Sequence, residues 1–104
     1  MSHVTTHVLD SSRGLPAAGM PVQLSGPDGL IASSVTNADG RVTSLGPEHL
    51  PPGSYTLAFD TAKYFAETPA FYPRVSIEFR VSGDEHYHVP LLLSPFGYST
   101  YRGS

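Results

Sequence analysis

Hydrophobic and polar positions alternate most clearly over residues 74–81, where Val75, Ile77, Phe79 and Val81 interleave with Arg74, Ser76, Glu78 and Arg80. A period of two sends successive side chains to opposite faces of a strand, so this segment predicts one buried and one wetted face. Runs rich in Val, Leu, Ile, Tyr, Phe and Thr recur along the chain and predict further strands over 3–9, 20–25, 30–36, 41–43, 54–59, 86–93 and 98–102. Turn formers separate them. Gly26-Pro27-Asp28-Gly29 reads as a hairpin turn, and Asn37-Ala38-Asp39-Gly40 as a second turn in which Gly40 supplies a positive φ. Short strands and turns at even spacing are the pattern of an antiparallel sandwich or barrel. One helix is predicted, over 60–67, with Asp60 or Thr61 as its cap and Pro69 as its stop. Two turns do not persist unaided, so Tyr64 and Phe65 must pack it onto the body.

Composition narrows the picture. Ten Gly and ten Pro in 104 residues leave no room for long helices, and no linker divides the chain, so residues 1–104 are expected to form one domain. With 39% hydrophobic and only 14% charged residues, the chain is not of the disordered class. The net charge is −3 and the six basic residues are dispersed, which argues against a nucleic-acid or membrane-surface partner. There is no cysteine, which excludes disulfides, thiolate catalysis and Cys-based zinc sites. The longest apolar stretch, 89–93, falls far short of the roughly 20 residues that cross a bilayer. The opening residues lack the basic and apolar regions of a signal peptide, so the expected location is the cytoplasm.

Candidate chemistry centres on the histidines. His86 and His88 alternate on a predicted strand, so both imidazoles leave one face about 6.6 Å apart. His3 and His7 share a parity on the first strand. A single histidine is most often a surface or core-edge imidazole. The His-Tyr-His pair leaves three readings open: two neutral ligands for a metal, a general base with its partner, or a structural pair. Arg41 directly follows the Asp39-Gly40 turn, where a guanidinium can clamp a planar anion or carbonyl, or simply be solvated. The segment 98–104 alternates aromatic and hydroxyl residues, and a terminal carboxylate at Ser104 could orient an imidazole. No Gly-rich phosphate loop and no Gly-x-Ser-x-Gly elbow is present.

Three segments resemble one family. They are Thr6-His7-Val8-Leu9-Asp10 with Gly14-Leu15-Pro16-Ala17, the run Thr36-Asn37-Ala38-Asp39-Gly40-Arg41, and His86-Tyr87-His88-Val89-Pro90-Leu91-Leu92-Leu93-Ser94-Pro95 followed by Tyr98-Ser99-Thr100-Tyr101-Arg102-Gly103-Ser104. In order and over essentially the whole chain, they are similar to the transthyretin-related family of 5-hydroxyisourate hydrolases, whose signature is the closing Tyr-Arg-Gly-Ser. The resemblance implies an all-β, prealbumin (transthyretin)-like sandwich of two four-stranded sheets with one short helix, assembled as a homotetramer. It also implies hydrolysis of 5-hydroxyisourate in urate degradation with no cofactor; no metal is expected, since no Cys or paired carboxylate is there to complete a shell. Matching positions make His7, Arg41, His88 and Ser104 the catalytic set, with His7, Arg41, Tyr101 and His86 contacting the substrate. In that frame His88 is the base, oriented by the Ser104 carboxylate, and His7 is the second imidazole, although the two histidines could exchange roles. Arg41 stabilises developing charge, and Tyr101, too weak an acid for proton transfer at neutral pH, contacts substrate. Two rivals remain: a hormone carrier of the same fold, which would have apolar or small residues in place of His7, Arg41 and the chain end, and a metal-binding module built on His3, His7, His86 and His88.

Overall fold

The computed structural model describes residues 2–104, and among them nine strands and one helix form two facing sheets. The first sheet holds β1 (Val4–Asp10), β2 (Leu15–Pro16), β5 (Arg41–Val42), β8 (Tyr87–Ser94) and β9 (Gly97–Thr100). The second holds β3 (Pro21–Gly26), β4 (Gly29–Val35), β6 (Gly53–Phe59) and β7 (Val75–Val81), in the order β4-β3-β6-β7. The inner faces supply the core: Val4, Val8, Leu91 and Leu93 from the first sheet meet Val22, Leu24, Leu57, Phe59, Val75 and Val81 from the second. Each such side chain contributes about 1.5–3 kcal/mol by leaving water, against about 1 kcal/mol for a typical hydrogen bond. The apolar inner faces therefore hold the sandwich together, and the outer face of the first sheet is free to carry polar groups.

The predicted sandwich and its short helix are present, with differences at the margins. The first sheet has five strands rather than four, because Leu15–Pro16 bridges back onto the end of β1 (Leu9 opposite Pro16). Two residues containing a proline carry no periodicity, so this strand has no signal in the sequence. Pairing is not antiparallel throughout: β1 runs parallel to β8, with Val4 opposite Tyr87 and Asp10 opposite Leu93. The last strand stops at Thr100 rather than 102, and the chain then swings across so that Gly103 forms a single bridge to His88.

The helix α1 spans Thr61–Phe65 rather than 60–67. Asp60 caps it as expected, accepting a hydrogen bond from the Lys63 N–H at 3.0 Å, and the buried Thr61 hydroxyl donates to the Tyr72 carbonyl. It ends before Pro69 because Ala66 turns to a positive φ of 52°. Tyr64 fastens the helix to the body by donating to Asp10 Oδ2 at 2.8 Å. Burial opposes ionisation of Asp10, but hydrogen bonds from Ser12, Tyr64 and the Arg13 and Ser12 backbone outweigh it and hold the carboxyl below its usual range.

Candidate active site

Strand register assembles the polar face of the first sheet. In the β1–β5 pair His7 lies opposite Arg41, and in the β1–β8 pair Thr5 lies opposite His88. The His88–Gly103 bridge, closed by Gly103 N–H donating to the His88 carbonyl at 2.8 Å, brings the chain end to the same place. Residues 5, 7, 41, 88 and 103, far apart in the chain, thus become neighbours because β1, β5 and β8 share one sheet and the tail bridges to it.

The turn before Arg41 is built as its sequence predicts. Gly40 has φ 74°, and a Cβ there would meet the Val8 carbonyl oxygen at 2.3 Å. Only glycine both adopts that φ and allows the close approach. Asn37 Oδ1 accepts from the Asp39 and Arg41 N–H groups at 2.9 and 3.0 Å, which fixes the departure of Arg41 into β5. His7 is tied to the same turn, its Nε2–H donating to the Asp39 carbonyl at 2.9 Å, so Nδ1 is its unengaged nitrogen.

An open cleft of about 270 Å³ is lined by Thr5, Thr6, Arg41, Val42, Thr43, His86, His88 and Ser104. Of the residues singled out in the sequence, the cleft unites Arg41, His86, His88 and Ser104. His7 is not on its wall but is the strand neighbour of Arg41. Tyr101, 59% exposed, lies in an adjoining cleft of about 330 Å³ with Tyr87, Thr100 and Arg102. His88 lines both clefts. His3 stands apart: it is buried, donates from Nε2 to the Glu85 carbonyl and accepts at Nδ1 from the Leu50 N–H, both at 2.9 Å. With both ring nitrogens engaged by backbone, His3 is a core residue. Among the described residues no group of three or more His, Asp or Glu could hold a metal ion.

Thr5 is the member that sequence reasoning passed over. Its hydroxyl lies 2.8 Å from His86 Nε2 and 2.8 Å from His88 Nδ1. In a strand a threonine reads as an ordinary β-former, and the only available signal was its shared parity with His7. His88 Nδ1 is thus held by Thr5, so the partner that orients this ring is Thr5 rather than the Ser104 carboxylate the resemblance led one to expect, and Ser104 stands on the wall of the same cleft. Burial first, then electrostatic repulsion from the neighbouring Arg41, His7 and His86, pushes the His88 imidazole below its ordinary pKa, with a contact from Thr5 opposing. The result is an imidazole kept neutral beside a guanidinium, the state a general base requires.

The family model described as the HIUase/Transthyretin family matches residues 4–103. A 5-hydroxyisourate hydrolase of Caulobacter vibrioides is 46% identical, with 100% of each chain covered. Among solved structures, Klebsiella pneumoniae 5-hydroxyisourate hydrolase superposes with a TM-score of 0.90 at 41% identity, covering 97% of this chain and 98% of that one. Sea bream transthyretin in complex with thyroxine superposes with a TM-score of 0.88 at 33% identity, covering 96% of this chain and 93% of that one.

Proposed function

The chain belongs to the HIUase/Transthyretin family and hydrolyses 5-hydroxyisourate, and we propose that it does so in the cleft bounded by Arg41, His86, His88 and Ser104. The product is 2-oxo-4-hydroxy-4-carboxy-5-ureidoimidazoline, formed in urate degradation by breaking a cyclic acyl C–N bond. The observation that carries the site assignment is a neutral-biased imidazole and a guanidinium on one cleft wall. In this reading His88 Nε2 takes a proton from water held against it by Ser104, and the resulting hydroxide attacks the carbonyl carbon. Negative charge grows on the carbonyl oxygen and then on the departing nitrogen, and Arg41 stabilises it as a fixed cation. The proton taken by His88 then passes to that nitrogen, while His7, whose Nδ1 lone pair is free, holds the substrate by accepting one of its N–H groups. His86 and Tyr101 contact substrate, Tyr101 from the adjoining cleft that His88 also lines.

The rival carrier reading rests on the sandwich and the 33% identity shared with sea bream transthyretin, and fold does not decide function. Two imidazoles and a guanidinium on the cleft wall suit a hydrogen-bonding purine derivative rather than an apolar hormone. We read residues 1–104 as one transthyretin-like domain, acting in the cytoplasm as a homotetramer. Support for assembly comes from the exposed aromatics Phe71, Phe96, Tyr98 and Tyr101 and from β9, which pairs on one side only among the described residues. Light scattering after size exclusion tests the tetramer, and a fully active 11.1 kDa monomer would rule it out. Activity is tested by generating 5-hydroxyisourate in situ with urate oxidase and following ultraviolet absorbance. Decay should be faster with the protein than without it, and an unchanged rate would overturn the reading. In that assay His88→Ala should lower turnover by roughly 10²–10⁴-fold, the range of a lost acid–base group, and His7→Ala by roughly 10²-fold through misplaced substrate.

A further inference from the structure

Thr5 stands between two imidazoles, and its chemistry constrains them both. A hydroxyl has one proton to donate and two lone pairs that accept. Its oxygen is 2.8 Å from His86 Nε2 and 2.8 Å from His88 Nδ1, and Thr5 as a residue is buried. It cannot donate to both nitrogens, so at least one of them must carry a hydrogen. The tautomers of His86 and His88 are therefore linked through a single proton.

We propose that Thr5 is a positioning residue that fixes the working tautomer of His88: its oxygen accepts Nδ1–H from His88 while its own proton goes to His86 Nε2. This rests on the reading of His88 as the base. In that arrangement the Nε2 lone pair of His88 is free on the cleft side. When Nε2 takes a proton from water, the Nδ1–H bond to Thr5 persists and no rearrangement is needed. The reverse arrangement, with Thr5 donating to His88 Nδ1, would put the hydrogen on Nε2 and leave His88 unable to accept one there. His86 is thus more than a substrate contact: its Nε2 lone pair receives the Thr5 proton and so sets the direction of the whole chain.

A further constraint comes from the opposite side of the His88 ring. Gly103 lies against it, and a Cβ at that position would meet His88 Cδ2 at 2.7 Å and Pro90 Cγ at 3.0 Å. The ring is held at Nδ1 by Thr5 and along its Cδ2 edge by the tail, so its Nε2 has a defined direction. Pre-set rotamer and tautomer are what a proton-abstracting imidazole needs from its surroundings.

The test uses the full chain with ¹⁵N-labelled histidine, reading tautomers by NMR at a pH where His88 is neutral, beside kcat and KM in the coupled assay. Wild-type His88 should carry its hydrogen on Nδ1 and His86 its hydrogen also on Nδ1. Thr5→Val keeps the branched shape but removes the hydroxyl. His88 should then move toward the Nε2–H form that free imidazole side chains prefer, and kcat should fall by roughly 10²-fold, the lower end of a positioned acid–base contribution, with KM little changed. Thr5→Ser, which keeps the hydroxyl, should restore both the tautomer and most of kcat. A wild-type His88 with its hydrogen on Nε2, or a Thr5→Val protein whose His88 tautomer does not move, would overturn the proposal. A tautomer that moves while kcat stays native would uphold the link through Thr5 and instead overturn His88 as the base.

Discussion

Gly103 packs edge-on against the His88 imidazole, so closely that a Cβ on residue 103 would stand 2.7 Å from His88 Cδ2. Real Cβ atoms do not approach that near, so Gly103→Ala must displace either the ring or the tail by several tenths of an ångström. The loss should be about tenfold in kcat, below the roughly 10²-fold attached to a 1 Å misplacement. Thermal melting should be unaffected, because residue 103 lies outside the buried core. Steady-state kinetics beside a melting curve checks both halves, and native kcat would show that the tail yields without disturbing His88.

Arg41 should control the acid limb of the activity profile. Together with burial, the larger effect, its positive charge disfavours the imidazolium of His88 and lowers that group's pKa. A base with a lowered pKa stays unprotonated to lower pH, so turnover should rise through a midpoint below the ordinary histidine value of about 6.5 and then level off. Removing the charge in Arg41→Gln should raise the His88 pKa and shift that midpoint upward, besides lowering the plateau by loss of charge stabilisation. The profile of kcat/KM against pH measures this, and a midpoint that stays in place would show that Arg41 does not act on His88.

Much of this was legible in the sequence, and the gaps have a common cause. The alternation at 74–81 is a local property and returned β7 with only its first residue shifted. The turns at Gly26–Gly29 and before Arg41 were equally local and are present as read. The parallel pairing of Val4 with Tyr87 is a relation between distant segments, which periodicity does not encode. The same holds for the site. His86 and His88 share a face by spacing alone, whereas the identity of their common partner, Thr5, depends on β1–β8 register. His3 misled by parity, because the chain at residue 3 has not yet entered β1 and its ring turns inward to backbone partners.

Acid should loosen the joint between helix and sheet. The Asp10 carboxyl is held below its ordinary pKa, so its contribution to stability is present above the unfolded value of about 3.9 and is lost as pH falls through the lower folded value. Tyr64→Phe removes the 2.8 Å hydrogen bond to Oδ2 and should cost about 1.5–3 kcal/mol at neutral pH, as for a hydrogen bond to a charged group. The difference between wild type and variant should shrink toward pH 3. Chemical denaturation at a series of pH values gives the answer, and a pH-independent difference would mean that Tyr64 acts by packing alone.

The tail beyond Thr100 should prove dispensable for folding and necessary for turnover. Its attachments are few: the backbone bond from Gly103 to His88, Arg102 stacked 4.6 Å above the Tyr87 ring, and an exposed Arg102–Glu85 contact at 3.9 Å. An exposed ion pair contributes about 0–1 kcal/mol, and a cation–π contact at the surface a similar amount. The core side chains of β8, Val89, Leu91 and Leu93, pack without any of these. Deleting residues 101–104 should therefore leave the circular dichroism spectrum and melting cooperativity of the sandwich intact. It removes Tyr101 and Ser104 from the site and frees the Cδ2 edge of His88, so activity should vanish. Arg102→Ala separates the two effects, since it keeps Gly103 and Ser104 while releasing the stack on Tyr87. That variant should retain the fold and lose only part of kcat. Full activity in the deletion would show that neither Ser104 nor Tyr101 serves the reaction, whereas unfolding on deletion would show that the tail is part of the core assembly.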